Sequence, residues 1–463
     1  MTRVSKTLAA TMGLFLWTGP AIASDEVEAE LAEMRRLVEG LQQKVDAQEE
    51  QLSAQGRNLE EAQRVVRRTQ EETEAVSGLA NFLNSIEVDG HVAVSYAYNP
   101  TGDPDSNNSA TGAVQPGGSN PVAGGLAQGA SGAFYPFHGD TDTFSVDQIW
   151  FGLGKPATEE SRAGFRFDIV YGNTATFLGN GSPTLSRGLT LDAVNDFYIN
   201  QAYIEYLAPI ANGVTVTAGK FGTLVGAEVA QTTANFNITR GNVYNLLQPI
   251  DHVGMLVSTD IGPVGVTVGA ANSQTLGVGT LDDNTQKTLI TQLGMGDDKL
   301  SGNATVIWGA EAGSNKDDLG LLDFVITANP TDALSVWLNV DYVWSSGNAA
   351  GLASGVPNGD AWGIAAAGRY AMTDRMGVAL RAEFVQDSSG RLGITQANRG
   401  AASAVDDNQV WGLTATVDYT LVENLLMRLE SRYDRVNHSG EFFNRNGLDR
   451  DQWVLLAEAV YTF

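Results

Sequence analysis

The 463-residue chain has no cysteine and only four histidines, His91, His138, His252 and His438. None stands in a recognisable serine or aspartate setting that would make it a nucleophile's base. No catalytic residue, metal ligand or cofactor is therefore expected, and the chain reads as a non-enzyme. The chemistry that remains is electrostatic. Opposite charges recur two residues apart, as in Arg166 with Asp168, Arg381 with Glu383, Arg428 with Glu430 and Arg432 with Asp434, alongside Glu205, Asp323, Asp341, Arg369, Asp387, Asp418 and Glu458. A spacing of two puts both members on one face of a β-strand. Such pairs set a field across a wet lumen, or neutralise one another and hold a wall, and the second is the commoner fate of any one pair.

A second constellation lies in the segment Gly222 to His252. It combines Glu228, Arg240, Asp251 and His252 with Leu224, Val225, Val229, Phe236, Ile238, Val243, Tyr244, Leu246, Leu247 and Ile250. A connection this apolar does not hang in solvent. It is expected to fold against the inner wall of a barrel and narrow its pore, with those four polar residues at the constriction. The competing reading packs it at a rim or a subunit interface.

The elements that must position these residues alternate with a period of two. In the last stretch, Trp453, Leu455, Ala457, Ala459, Tyr461 and Phe463 share one face, and Glu458 sits on the other. In the first, Val88, Val92, Val94, Tyr96 and Tyr98 oppose Glu87, Asp89 and His91. Charged inner faces under apolar outer faces tipped with aromatics invert the rule for soluble sheets and suit a strand that faces lipid. Sixteen such segments can be counted between Ile86 and Phe463, the weakest alternation being at Thr143 and Thr288. Connections after odd-numbered strands are long, and those after even-numbered strands are short. An even strand count with this asymmetry predicts an all-β, antiparallel transmembrane barrel of about 16 strands over 86–463, both termini on the periplasmic side. Side chains cannot fill a lumen of that girth, so a water-filled channel is expected unless something plugs it.

Ahead of the barrel, Arg3 and Lys6 precede an apolar run from Leu8 to Trp17 and the tripeptide Ala21-Ile22-Ala23, a signal peptide over 1–23. After it, Leu31, Val38, Val45, Leu52, Leu59, Val66 and Thr73 fall at heptad a positions, with Met34, Leu41, Gln48, Gln55 and Ala62 at d. This predicts an α-helical coiled coil over 24–77, joined to the barrel by a linker over 78–85. Its polar d positions leave dimer and trimer both open. The bland reading is an oligomerisation rod; the alternative for the whole chain is an outer-membrane anchor that tethers the cell wall, with peptidoglycan held by the coil and a mainly structural barrel.

The formal charge of −26 argues against nucleic acid as a partner. The barrel alone holds 40 acidic and 19 basic residues, which predicts a mild preference for cations. Expected partners are outer-membrane lipid and lipopolysaccharide, the barrel-assembly machinery through the strand ending at Phe463, and further copies of the chain.

The segments Asn200-Gln201-Ala202-Tyr203-Ile204-Glu205-Tyr206, Ala218-Gly219-Lys220-Phe221, Asn235-Phe236-Asn237-Ile238-Thr239-Arg240-Gly241 and Pro249-Ile250-Asp251-His252-Val253-Gly254 resemble the OmpL-like beta-barrel porins of Gram-negative outer membranes. Asp89-Gly90 with Tyr96-Ala97-Tyr98-Asn99 is similar too. The resemblance implies an outer-membrane channel and names no solute. A periplasmic coil ahead of a barrel also resembles phosphate-selective porins, which implies a trimer. This barrel lacks the basic excess that would draw phosphate.

Overall fold

The structure is a computed structural model that describes residues 25–100, 137–138, 142–179, 197–210, 212–272, 285–310, 318–346, 359–388, 407–437 and 450–463. The signal peptide and most of the long connections lie outside these residues, as does His438. The described chain divides into two compact units, 1–84 and 85–463.

The first unit is one helix, α1 (Asp25–Asn84), of 60 residues, about 90 Å long at 1.5 Å per residue. Its heptad seam is uncovered, with exposure running from 48% at Leu31 to 67% at Leu52. The segment 78–84, expected as part of a linker, continues the helix; it has no proline and a single glycine, so nothing in it ends the helical turn. No helix among the described residues is long and apolar enough to cross a membrane.

The second unit is a closed antiparallel barrel of sixteen strands, each bonded to its sequence neighbours: β1 (Glu87–Tyr98), β2 (Thr143–Lys155), β3 (Ala163–Tyr171), β4 (Phe197–Ala208), β5 (Val214–Gly222), β6 (Asp251–Ile261), β7 (Val264–Ala271), β8 (Thr288–Gly296), β9 (Leu300–Ala310), β10 (Asp318–Thr331), β11 (Leu334–Ser345), β12 (Gly359–Ala371), β13 (Met376–Asp387), β14 (Asn408–Val422), β15 (Leu425–Val436) and β16 (Asp451–Thr462). Two short helices, α2 (Asn173–Gly179) and α3 (Asn242–Leu247), lie in the connections. Closure joins β1 to β16, from His91 opposite Thr462 to Tyr98 opposite Leu455. The C-terminal residue completes it, because Gly90 and Phe463 exchange backbone hydrogen bonds of 3.1 and 3.0 Å. A Cβ at Gly90 would stand 2.5 Å from the Phe463 ring, so glycine makes room for that residue.

Closure leaves no open edge, and every strand can present an apolar face to lipid. Phe144, Ile204, Leu380, Leu429, Trp411 and Trp453 are each at least half exposed on the outside. Short turns use residues that accept positive φ, Gly262 between β6 and β7 and Asn424 between β14 and β15. The two weak segments have physical causes. In β2 the register shifts between Ala93 and Val94 of its partner, leaving Asp147 as the extra residue of a bulge, so the alternation changes phase mid-strand. In β8 the inward Ile290 is apolar because it packs on the connection inside the barrel.

Candidate functional site

The connection from β5 to β6, residues 223–250, lies inside the barrel. It starts at Thr223, whose backbone N–H bonds the Ile250 carbonyl, and contains α3 and a 3-10 turn at Thr232–Ala234. Its apolar residues Val225, Val243, Leu246 and Leu247 join Leu256, Ile290, Ile307, Leu319, Leu321, Val343 and Val385 in one buried cluster. The wall facing them is accordingly apolar on its inner side, a departure from the polar interior expected of a water-filled barrel. Gly363 on β12 supplies a socket: a Cβ there would come within 2.7 Å of Leu247 and 2.9 Å of Val243.

The other side of the connection is irregular backbone at membrane depth, which is tolerated only where each N–H and C=O finds a partner. The inward charges of β13 and β15 supply many of them. Glu430 accepts the N–H groups of Ile238 at 2.5 Å and Thr239 at 3.0 Å. Glu383 accepts that of Val243 at 3.3 Å, and Glu228 on the connection accepts that of Gly241 at 2.7 Å. Arg381 donates to the Thr239 carbonyl at 2.5 Å and Arg432 to the Arg240 carbonyl at 2.6 Å. Arg428 reaches the carbonyls of Thr232, Asn235 and Asn237.

These groups also pair with one another. Arg381 binds Glu228 at 2.6 Å and Glu383 at 3.3 Å; Arg432 binds Asp434 at 2.7 Å; and Arg428 binds Glu458, its cross-strand partner. None of the nine charged side chains of this layer (Glu228, Arg240, Arg381, Glu383, Arg428, Glu430, Arg432, Asp434, Glu458) is more than 6% exposed. Gly412 gives this layer its room, since a Cβ there would meet Asn242 at 2.6 Å and Glu383 at 2.8 Å.

The four residues expected at a constriction are thus brought inside the barrel but do not share one spot. Glu228 is bound to Arg381. Arg240 folds the connection on itself through the carbonyls of Val229 at 3.1 Å and Ile238 at 3.0 Å, and of Ala230, with its guanidinium 4.7 Å from the Phe137 ring centroid. Asp251 and His252 were expected in the connection; they open β6 instead. Asp251 accepts from the Tyr198 hydroxyl at 2.5 Å and faces Lys220 at 3.3 Å, while His252 contacts Thr223 at 3.1 Å.

The residues expected to face the lumen fall into two groups, with Asp168 buried beside Arg166. Asp341, Arg381, Glu383, Arg428, Glu430 and Arg432 are buried under the connection. Asp341 lies opposite Asp323, and amides from Asn339 at 2.9 Å and Gln248 at 2.7 Å hold its carboxylate. Arg166 and Arg369 sit near the short turns and keep 21% and 35% of their side chains exposed. Arg166 binds Asp89 at 2.6 Å and Asp168 at 2.7 Å; Arg369 binds Asp418 at 2.6 Å.

Neutral polar residues do much of the stitching and were not expected to. Gln148 of β2 donates to the Ala230 carbonyl at 2.7 Å and accepts from Thr232 N–H at 3.0 Å, with His91 against the same oxygen at 2.9 Å. Asn242 bridges Asp434 and Arg432 at 2.9 Å each, and Gln292 donates to the Leu224 carbonyl at 2.8 Å. For Gln148 and Gln292 the inward parity was the available signal, while their partner, an irregular backbone, leaves no mark on a strand's pattern; Asn242, in α3, offered no such parity.

A family model described as "Putative beta-barrel porin-2, OmpL-like" matches residues 85–463. Among solved structures, the barrel is similar to an anion-selective porin from Comamonas acidovorans, with 10% identity, 82% of this chain and 99% of that one covered, and a TM-score of 0.50. It is also similar to the outer-membrane channel DcaP of Acinetobacter baumannii, with 13% identity, 82% and 97% covered, and a TM-score of 0.49. At such identities the likeness concerns the fold. No curated protein matches the chain.

Proposed function

Because the chain belongs to the family of OmpL-like beta-barrel porins, we propose that it lets small hydrophilic solutes and ions diffuse passively across the outer membrane, through a barrel narrowed by residues 223–250. The observation that carries this reading is the connection inside a closed barrel, tied to the inner wall by buried charges at mid-strand. A segment so tethered holds its position and sets a fixed aperture. The inverted surface, apolar outside and charged within, supports placement in a membrane. The reading extends to α1 as a periplasmic rod whose uncovered seam packs against the same helix of other copies, most simply in a trimer.

Reconstitution in planar bilayers and liposomes tests this. Discrete conductance steps and solute-dependent swelling are expected. A purified, folded barrel that gives neither would sink the porin reading and leave the anchoring one, in which the barrel is structural and α1 reaches the cell wall.

A further inference from the structure

The buried charge layer leaves a particular surface facing the remaining lumen. Within residues 223–250 the side chains that stay exposed are Val229, at 43%, with Thr233 and Ala234; Gln231 and Phe236 are half-buried beside them. They form one tip, pinned by Asn235, whose side chain accepts from Val229 N–H at 3.0 Å and donates to the carbonyls of Val229 and Gln231 at 2.8 Å each. The residues flanking the tip place it inside the barrel, since Glu228 is held by β13, and Ala230 and Thr232 by β2, β15 and β16. The tip carries no charge. Among the described residues, the charges at this level are the buried ones, already matched to each other and to backbone groups, while the accessible inward pairs, Arg166 with Asp89 and Arg369 with Asp418, lie nearer the short turns.

We propose that the tip forms the edge of the aperture and that the channel favours uncharged polar solutes, of the polyol or small-sugar class, over ions of similar size; this rests on the porin reading. An ion passing a narrow, partly apolar edge loses hydration with no opposite charge to replace it. A neutral polyol gives up hydrogen bonds that the Thr233 hydroxyl and the Gln231 amide can return. The acidic excess of the whole barrel acts at longer range, so it concentrates cations at the mouths only where salt is low. The cation preference expected from net charge is then a low-salt property of the mouths, and Glu228 and Arg240 have no direct part in it.

The test compares liposome swelling by a neutral polyol and by a carboxylate or ammonium solute of similar mass, with reversal potentials under a gradient near 1 M salt, for the wild type, Val229→Glu and Val229→Gln. Severalfold faster swelling with the polyol and a reversal potential near zero are expected for the wild type and Val229→Gln. Val229→Glu, at an exposed site, should turn the channel cation-selective at high salt. Equal or faster entry of the charged solute, strong selectivity of the wild type near 1 M salt, or a Val229→Glu channel that selects as the wild type does would each overturn the neutral edge. Absence of swelling with every solute would instead overturn the porin reading itself.

Discussion

α1 and the barrel interior treat their side chains in opposite ways. In α1 the apolar residues Leu31, Val38, Leu52 and Leu59 stand in water, unpartnered within one chain. In the barrel, Arg381, Arg432, Asp434 and Glu458 are buried and fully engaged within one chain. Exposed apolar surface at heptad spacing on a lone helix is what a coiled coil covers, so on the reading proposed above other copies of α1 would cover it. Buried charge is stable only when opposite charges and backbone groups meet it, and the connection 223–250 brings them. The barrel interior is thus satisfied within one chain, whereas the apolar stripe of α1 is not.

The sharpest way to break that contrast is Arg381→Ala. It leaves Glu228, Glu383 and the Thr239 carbonyl without their common donor. Removing one partner of a buried pair costs about 3–5 kcal/mol. The connection should loosen while the sheet stays closed, seen as a larger and noisier single-channel conductance with the barrel's β-sheet circular dichroism unchanged. An Arg381→Ala channel indistinguishable from wild type would show that the apolar cluster alone seats the connection.

Deleting residues 25–77 probes the other side. The barrel should fold and conduct as before, because its closing bonds and charge layer are made by residues within 85–463, while assembly into oligomers weakens in native gels or light scattering. An unchanged oligomer would mean that contacts between barrels hold the copies together. Gly412→Ala is milder. Its new methyl must displace Asn242 or Glu383, and overpacking of this kind costs about 1–3 kcal/mol. A small fall in thermal stability with altered conductance is expected, against no change for an alanine at an exposed strand position such as Leu380.

The smallest effect concerns a turn outside both features. Asp297, exposed between β8 and β9, accepts the N–H groups of Lys299 at 2.9 Å and Leu300 at 3.0 Å, which hold its carboxyl below the ordinary aspartate range. A carboxylate with a depressed folded pKa stabilises above its unfolded value, about 3.9, and that contribution is lost as pH falls through the folded value. Asp297→Ala should therefore lower stability slightly at neutral pH, and its difference from wild type should fade in acid. A difference that persists undiminished at acid pH would assign the effect to backbone preference in the turn.

The strands and the seam of α1 were legible because each is a local periodic signal: Trp453, Leu455 and Tyr461 mark an outward face wherever the strand ends up, and Leu31 to Val66 mark a helical stripe. The apolar content of 222–252 was the signal for a packed connection, and Val225, Val243, Leu246 and Leu247 are buried. What periodicity could not reveal was the use of the inward charges. Arg381 and Glu228 are 153 positions apart, and Glu430 meets the backbone of Ile238 across 192. Before the barrel closes, nothing distinguishes Glu430, which caps two amides, from Glu205, which caps none among the described residues.

By itself, then, the sequence determined strand number, the inward and outward faces, the rod and the sign of the overall charge, since these depend on spacing and composition. Tertiary structure alone decided that the paired charges at mid-strand are consumed in holding an irregular segment and that Val229, Thr233 and Ala234 are the side chains of that segment left exposed. The physical reason is that backbone groups at membrane depth must be satisfied, and which side chains satisfy them depends on contacts made only when distant strands close into a ring.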